Sequence, residues 1–166
     1  MRKLLTALVF TFIFLFVYQA TSAPTRLAVL PFENMDGSEM KNVVAYELMD
    51  SIYNRLLELD PNQEHYVLVP ADSIFEQLAQ YNLDPQNPQY KSDMWKAVKD
   101  LKIKQVIYGN YTDQSGTYLI NAYVYNVKMK LPMRKHEAKD IFKDKDILLE
   151  AVEEIIQKLK PLLIKN

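Results

Sequence analysis

The chain has 166 residues, 49% hydrophobic and 25% charged, with three Gly, eight Pro and no Cys, a length that suits one domain. Twenty Lys and Arg against 21 Asp and Glu give a net charge of -1, without the positive excess that neutralises phosphate, so no nucleic-acid partner is expected. A sequence without Cys has no disulfide, thiol chemistry, thiolate metal site or lipidated Cys, and glycines at 37, 109 and 116 alone build neither a dinucleotide loop nor a P-loop.

Residues 1–23 place Arg2 and Lys3 before an apolar stretch from Leu4 to Tyr18 and small residues ending at Ala23. This is the pattern of a secretory signal peptide, and the stretch is shorter than the roughly 20 residues of a membrane-spanning helix. Cleavage after Ala23 is expected to leave residues 24–166 as an exported, periplasmic domain; the alternative is a membrane anchor formed by the uncleaved segment.

Along the mature chain, Arg26 to Phe32 reads as a buried strand stopped by Pro31, with a turn at Asp36-Gly37. From about Glu39 to Asp60, Ala45, Leu48, Met49, Ile52, Leu56 and Leu59 recur at helical spacing, and Asp60-Pro61-Asn62 ends the helix. Tyr66 to Val69 is a second strand, Ile74, Phe75 and Leu78 mark a short helix after Pro70, and Met94, Trp95, Val98 and Leu101 mark another with Ser92 or Asp93 as N-cap. The period then changes to two: Lys104 to Thr112 and Thr117 to Met129 form a hairpin over Asp113 to Gly116, and Met133 to Phe142 is a charged edge strand. A last helix from Asp144 to Lys160 is expected to end or kink at Pro161. The order β-α-β-α-α-β-β-β-α predicts an α/β fold with a mixed five-stranded sheet, its first three strands parallel and its last two antiparallel, and helices mainly on one face.

Chemistry is sparse in this pattern. His65 and His136 are isolated and form no HExxH, the serines form no GxSxG elbow, and Asp144 and Asp146 lack the rest of a calcium loop, so no catalytic residue, metal or cofactor is expected. Glu33, Asp72 and Asp113 follow three successive parallel strands, where ligands of open sheets gather, and offer a small-ligand or hydrolytic site. Structural roles compete with this: Asp36 or Ser38 can cap the first long helix, Asp72 the helix after Pro70, and Asp113 can start a tight turn. On the long strand Ile120, Ala122 and Val124 share one face and Leu119, Asn121, Tyr123, Tyr125 and Val127 the other. The aliphatic face suits packing under helices, which puts the tyrosines on the open side of the sheet. Next to them Lys128, Lys130, Arg134 and Lys135 form a basic cluster with no intervening acid. The candidate partner surface is therefore Tyr123 and Tyr125 with Lys128, Lys130, Arg134 and Lys135 as a charged rim.

The segments LAVLPFEN at 27–34, YVLVPADSIFEQL at 66–78 and AVKDLKIKQVIYGNYTDQSGTYLINAYVYNV at 97–127 resemble the TolB N-terminal-domain-like family of bacterial envelope proteins. The resemblance runs over about residues 26–160; its most telling pieces are Leu30-Pro31-Phe32 with Asn34, and Leu101 to Gly109. A looser likeness extends to the curli-secretion (CsgG), flagellar (FlgO) and penicillin-binding-protein activator (LpoB) types. It implies the βα framework and a non-catalytic accessory role in envelope assembly, secretion, motility or wall synthesis, with envelope proteins or a second copy as partners. Membrane contact is expected only through a retained signal segment or the basic hairpin. Departures are the missing β-propeller, no Cys for lipidation, no pore-forming hairpins, and Lys130-Leu131-Pro132 where many relatives have a Gly-containing turn.

Overall fold

In the computed structural model, residues 23–37, 42–81, 84 and 87–164 are described; the expected signal segment, apart from Ala23, lies outside them. The apolar periods of the sequence become elements with one face buried: β1 (Thr25–Val29), β2 (Glu33–Asn34), α1 (Asn42–Leu59), β3 (Tyr66–Leu68), α2 (Ala71–Leu78), α3 (Tyr90–Asp100), β4 (Gln105–Gln114), β5 (Thr117–Asn126), β6 (Leu131–Pro132), β7 (Ala138–Asp144) and α4 (Leu148–Leu163). The sheet order is β3-β1-β4-β5-β6, with β2 beside β4 and β7 beside β5. β1 is parallel to both β3 and β4, and β4, β5 and β7 run antiparallel, so the mixed α/β sheet has the strand directions expected. Two short strands, β2 and β6, add to the five principal ones.

Helices occupy both faces, which refines the expectation of helices mainly on one. The long pair, α1 and α4, buries Leu48, Ile52, Leu56, Ile155 and Leu159 against Leu27, Ile107, Ile120, Ala122 and Val124. The short pair, α2 and α3, packs Ile74, Leu78, Met94, Ala97 and Val98 on the opposite face against Ala28, Leu30, Val69 and Val106. Eight and eleven residues of helix are too few to span the whole sheet. The β5 and β7 end of that face stays open, and Phe142 of β7 is 53% exposed there.

Local chemistry explains where the elements stop. Asp60, only 6% exposed, closes α1 by accepting backbone N–H bonds from Glu64 at 3.0 Å, His65 at 2.9 Å and Tyr66 at 3.2 Å. Burial by itself pushes this carboxyl up, and the three N–H donors outweigh it and hold it below the ordinary Asp range. The Tyr66 hydroxyl donates to the Leu56 carbonyl at 2.7 Å, tying β3 back to the same helix. At Gly109 in β4 an added Cβ would lie 1.9 Å from the Asn121 carbonyl oxygen and 2.7 Å from Phe32 Cε1. That close backbone approach is what requires glycine at this position.

Several boundaries differ from the sequence reading, among them the start of α4 at Leu148 rather than Asp144, because β7 runs on to Asp144. α3 begins at Tyr90, so Ser92 and Asp93 lie in its first turn and neither caps it. The third strand of the meander begins only at Ala138, because β6 and the turn after it take up residues 131–137. Pro161 lies inside α4, which continues to Leu163. In the last turn a proline forfeits a single backbone bond, and the buried Leu159 and Leu163 hold the turn in place.

Candidate functional site

The floor of the site is the β4–β5 ladder. Its register sets Tyr108 opposite Tyr123, Val106 opposite Tyr125 and Asn110 opposite Asn121, and directly opposed residues point to the same side of a sheet. Three tyrosines and two asparagines therefore share the face that α2 and α3 only partly cover. Tyr125 is the centre of the group, with ring centroids 5.7 Å from Trp95, 5.9 Å from Tyr108 and 6.0 Å from Tyr123. All four rings are half-buried. Their tilted and edge-on contacts are the arrangements aromatic quadrupoles favour.

One wall comes from α3, whose four-residue spacing puts Lys91 and Trp95 on one side of the helix. The Lys91 Nζ meets Glu33 Oε2 at 2.8 Å, and the Tyr108 hydroxyl donates to the same oxygen at 2.9 Å. Glu33 is placed for this by β2, which pairs it with Asn110. The Lys91 bond is the main reason that the Glu33 carboxyl sits below its ordinary value, against the opposing pull of burial. Tyr108 is pushed above the ordinary phenol range, first by burial and then by the Glu33 charge. Lys91 also lies 5.7 Å from the Tyr108 ring centre, and Lys139 lies 5.5 Å from that of Tyr123. Between floor and wall is an open depression of about 320 Å³, with Lys130 at its margin.

The sequence-derived candidates divide unevenly. Tyr123, Tyr125 and Lys130 line the depression; Lys128, Arg134 and Lys135 are exposed on the neighbouring turns and do not line it. Glu33, Asp72 and Asp113 are not brought together. Glu33 belongs to the aromatic depression, and Asp72 lines a separate one of about 220 Å³ with Asp50 and Tyr53. Asp113 accepts the Gly116 N–H at 2.8 Å as a turn residue, while its own N–H donates to Asp36 at 2.8 Å. Asp72 occupies the first turn of α2 and makes no capping bond. Among the described residues no three His, Asp or Glu side chains stand together as a metal site.

Trp95, Tyr108 and Lys91 line the depression without being among the sequence-derived candidates. The first two had a readable signal. Counting back through the Gly116 turn sets Tyr108 opposite Tyr123, and Trp95 falls on the edge of the apolar stripe of its helix. Nothing in local spacing pairs Lys91 with Glu33, 58 positions away.

No family model and no curated protein matches the chain. Solved structures do. The LpoB C-terminal domain from Salmonella enterica aligns with a TM-score of 0.50 at 14% identity, over 76% of this chain and 87% of its own. LpoB of E. coli aligns with 0.52 at 16% identity, over 74% of this chain and 58% of its own. Lipoprotein GNA1162 from Neisseria meningitidis aligns with 0.50 at 15% identity, over 85% of this chain and the whole of its own. What these likenesses establish is the fold: the chain shares the α/β architecture of the C-terminal domain of LpoB and of GNA1162, in keeping with the resemblance carried by its sequence.

Proposed function

We propose that this chain is an exported, periplasmic, non-catalytic protein-interaction domain, an accessory subunit in a bacterial cell-envelope process such as assembly, secretion, motility or wall synthesis. Residues 1–23 serve as its signal peptide and residues 24–166 as the working domain. The fold it shares with envelope proteins supports the setting. The observation that carries the reading is the set of half-buried rings, Tyr108, Tyr123 and Tyr125 on a stretch of sheet that the short helices only partly cover, with Trp95 of α3 beside them. Interface energy concentrates in aromatic and Arg anchors, and rim charges chiefly set on-rate and salt dependence. Tyr123 and Tyr125 act as anchors, and Lys128, Lys130, Arg134 and Lys135 as the rim.

The experiment is capture of envelope proteins by the purified domain and by two variants. Tyr123→Ala with Tyr125→Ala lowers capture of the protein retained by wild type by more than about tenfold. Charge reversal at Lys130 and Arg134 produces a smaller loss that depends on salt. Tyr123→Ala alone controls for folding, because Tyr125 also packs on Trp95. A cooperatively melting tyrosine variant that captures the same protein normally refutes the docking face.

A further inference from the structure

The depression beside Tyr125 has a chemical character of its own. Among the described residues none of the lining side chains is aliphatic: apart from Gly109, every one is an aromatic ring, a charged group or an Asn. Pockets that seat a protein side chain as an anchor desolvate it fully against packed apolar walls. This one offers open rings flanked by hydrogen-bonding groups. At about 320 Å³ it is the size of a small-ligand site, near the lower limit of the usual range of about 300–1,000 Å³.

We propose that this depression binds an acidic saccharide, one or two pyranose rings bearing a carboxylate. A pyranose has an apolar C–H face that stacks on aromatic rings, and a rim of hydroxyls that donate and accept at once. Trp95, Tyr108 and Tyr123 around Tyr125 supply the rings. Asn110 and the tyrosine hydroxyls donate and accept, Glu33 accepts, and Lys91 donates. Charge selects the acidic form. The Lys91 charge is matched by Glu33 at 2.8 Å, so the pair is neutral toward a ligand, whereas Lys130 has no acidic partner within ion-pair distance among the described residues. Lys128, Arg134 and Lys135, exposed on the turns before and after β6, add positive potential. The depression is open, so a longer polymer can extend past it.

This ligand goes beyond the protein-docking reading, and its test has a separate readout. Trp95 is the one tryptophan of the sequence and lines the site, so its emission reports occupancy there and nowhere else. The purified domain is titrated with digalacturonic acid, with neutral cellobiose, and with a short peptide of Asp, Glu and Phe. The expected result is a saturable change in Trp95 emission with digalacturonic acid, at least about tenfold tighter than with cellobiose and weakened by salt. Lys130→Glu, an exposed turn substitution, weakens it by about fivefold or more, and Tyr123→Ala does so by removing a ring. Thermal melts near wild type show that both variants are folded. No saturable change with digalacturonic acid, equal affinity for cellobiose, or tighter binding of the peptide each overturns the proposal. All three leave the capture experiment, which needs no sugar, to decide the docking face.

Discussion

Replacing Asp60 by Ala tests whether a single buried carboxylate holds the junction between α1 and β3. Three backbone N–H groups converge on it, and their surroundings differ: Glu64 is exposed, His65 half-buried and Tyr66 buried. Water can replace the carboxylate at Glu64 and in part at His65. The Tyr66 N–H stays buried without an acceptor, which by itself costs about 1–3 kcal/mol. Adding the charge-assisted character of the other two bonds, the substitution is expected to lower stability by about 3 kcal/mol and the melting temperature by about 10 °C. Asp60→Asn recovers only part, since an amide N–H₂ must face at least one of the donors. The pH dependence has a defined sign. The carboxyl titrates lower in the folded chain than in the unfolded one, so its contribution is complete above the unfolded carboxyl range and is lost as pH falls through the lowered folded value. Urea melts of wild type and Asp60→Ala at a series of pH values isolate this term, because Glu33 and Glu153, also lowered, cancel in the difference. The gap is largest near neutrality and shrinks in acid. A gap that is negligible at pH 7, or that stays constant down to pH 2, refutes the account of this turn.

Two further outcomes follow from features described above. Gly109→Ala forces a methyl group into the Asn121 backbone and the edge of Phe32, and is expected to destabilise by about 3 kcal/mol in urea melts; a loss well under 1 kcal/mol would show that β4 and β5 can separate freely. Export of the full chain should yield a product beginning at Pro24, read by intact mass, and a species that retains Met1 in the membrane fraction supports the anchored alternative.

Periodicity made the framework legible. Ala45, Leu48, Met49, Ile52 and Leu56 are all buried, and Ile120, Ala122 and Val124 lie under the long helices, because side-chain direction follows from local geometry alone. The sides on which the crossover helices pack depend on tertiary topology, so the short pair on the second face had no local signature. The same limit hid half of the site. Tyr123 and Tyr125 could be placed by strand alternation, but Lys91 and Trp95 reach them only because α3 crosses the sheet at that point. Pro161 misled for an opposite reason. A helical proline forfeits its own bond to the carbonyl four residues back and crowds that carbonyl, and the burial of Leu159 and Leu163 outweighs this at the end of α4.

The central place of β1 bears on the order in which the chain can fold as it is made. Its two neighbours are β3, at residues 66–68, and the start of β4, at residues 105–107, so the first strand of the domain emerges long before either is available. The meander of β4, β5 and β7 is assembled from adjacent segments and can form as a unit, but the apolar run Leu27 to Leu30 must wait for it with its β4 side unpaired. A chain delivered N-terminus first therefore carries an exposed, aggregation-prone strand until its second half arrives. Truncations that stop before residue 105 leave that strand without its β4 neighbour, whatever helices they retain.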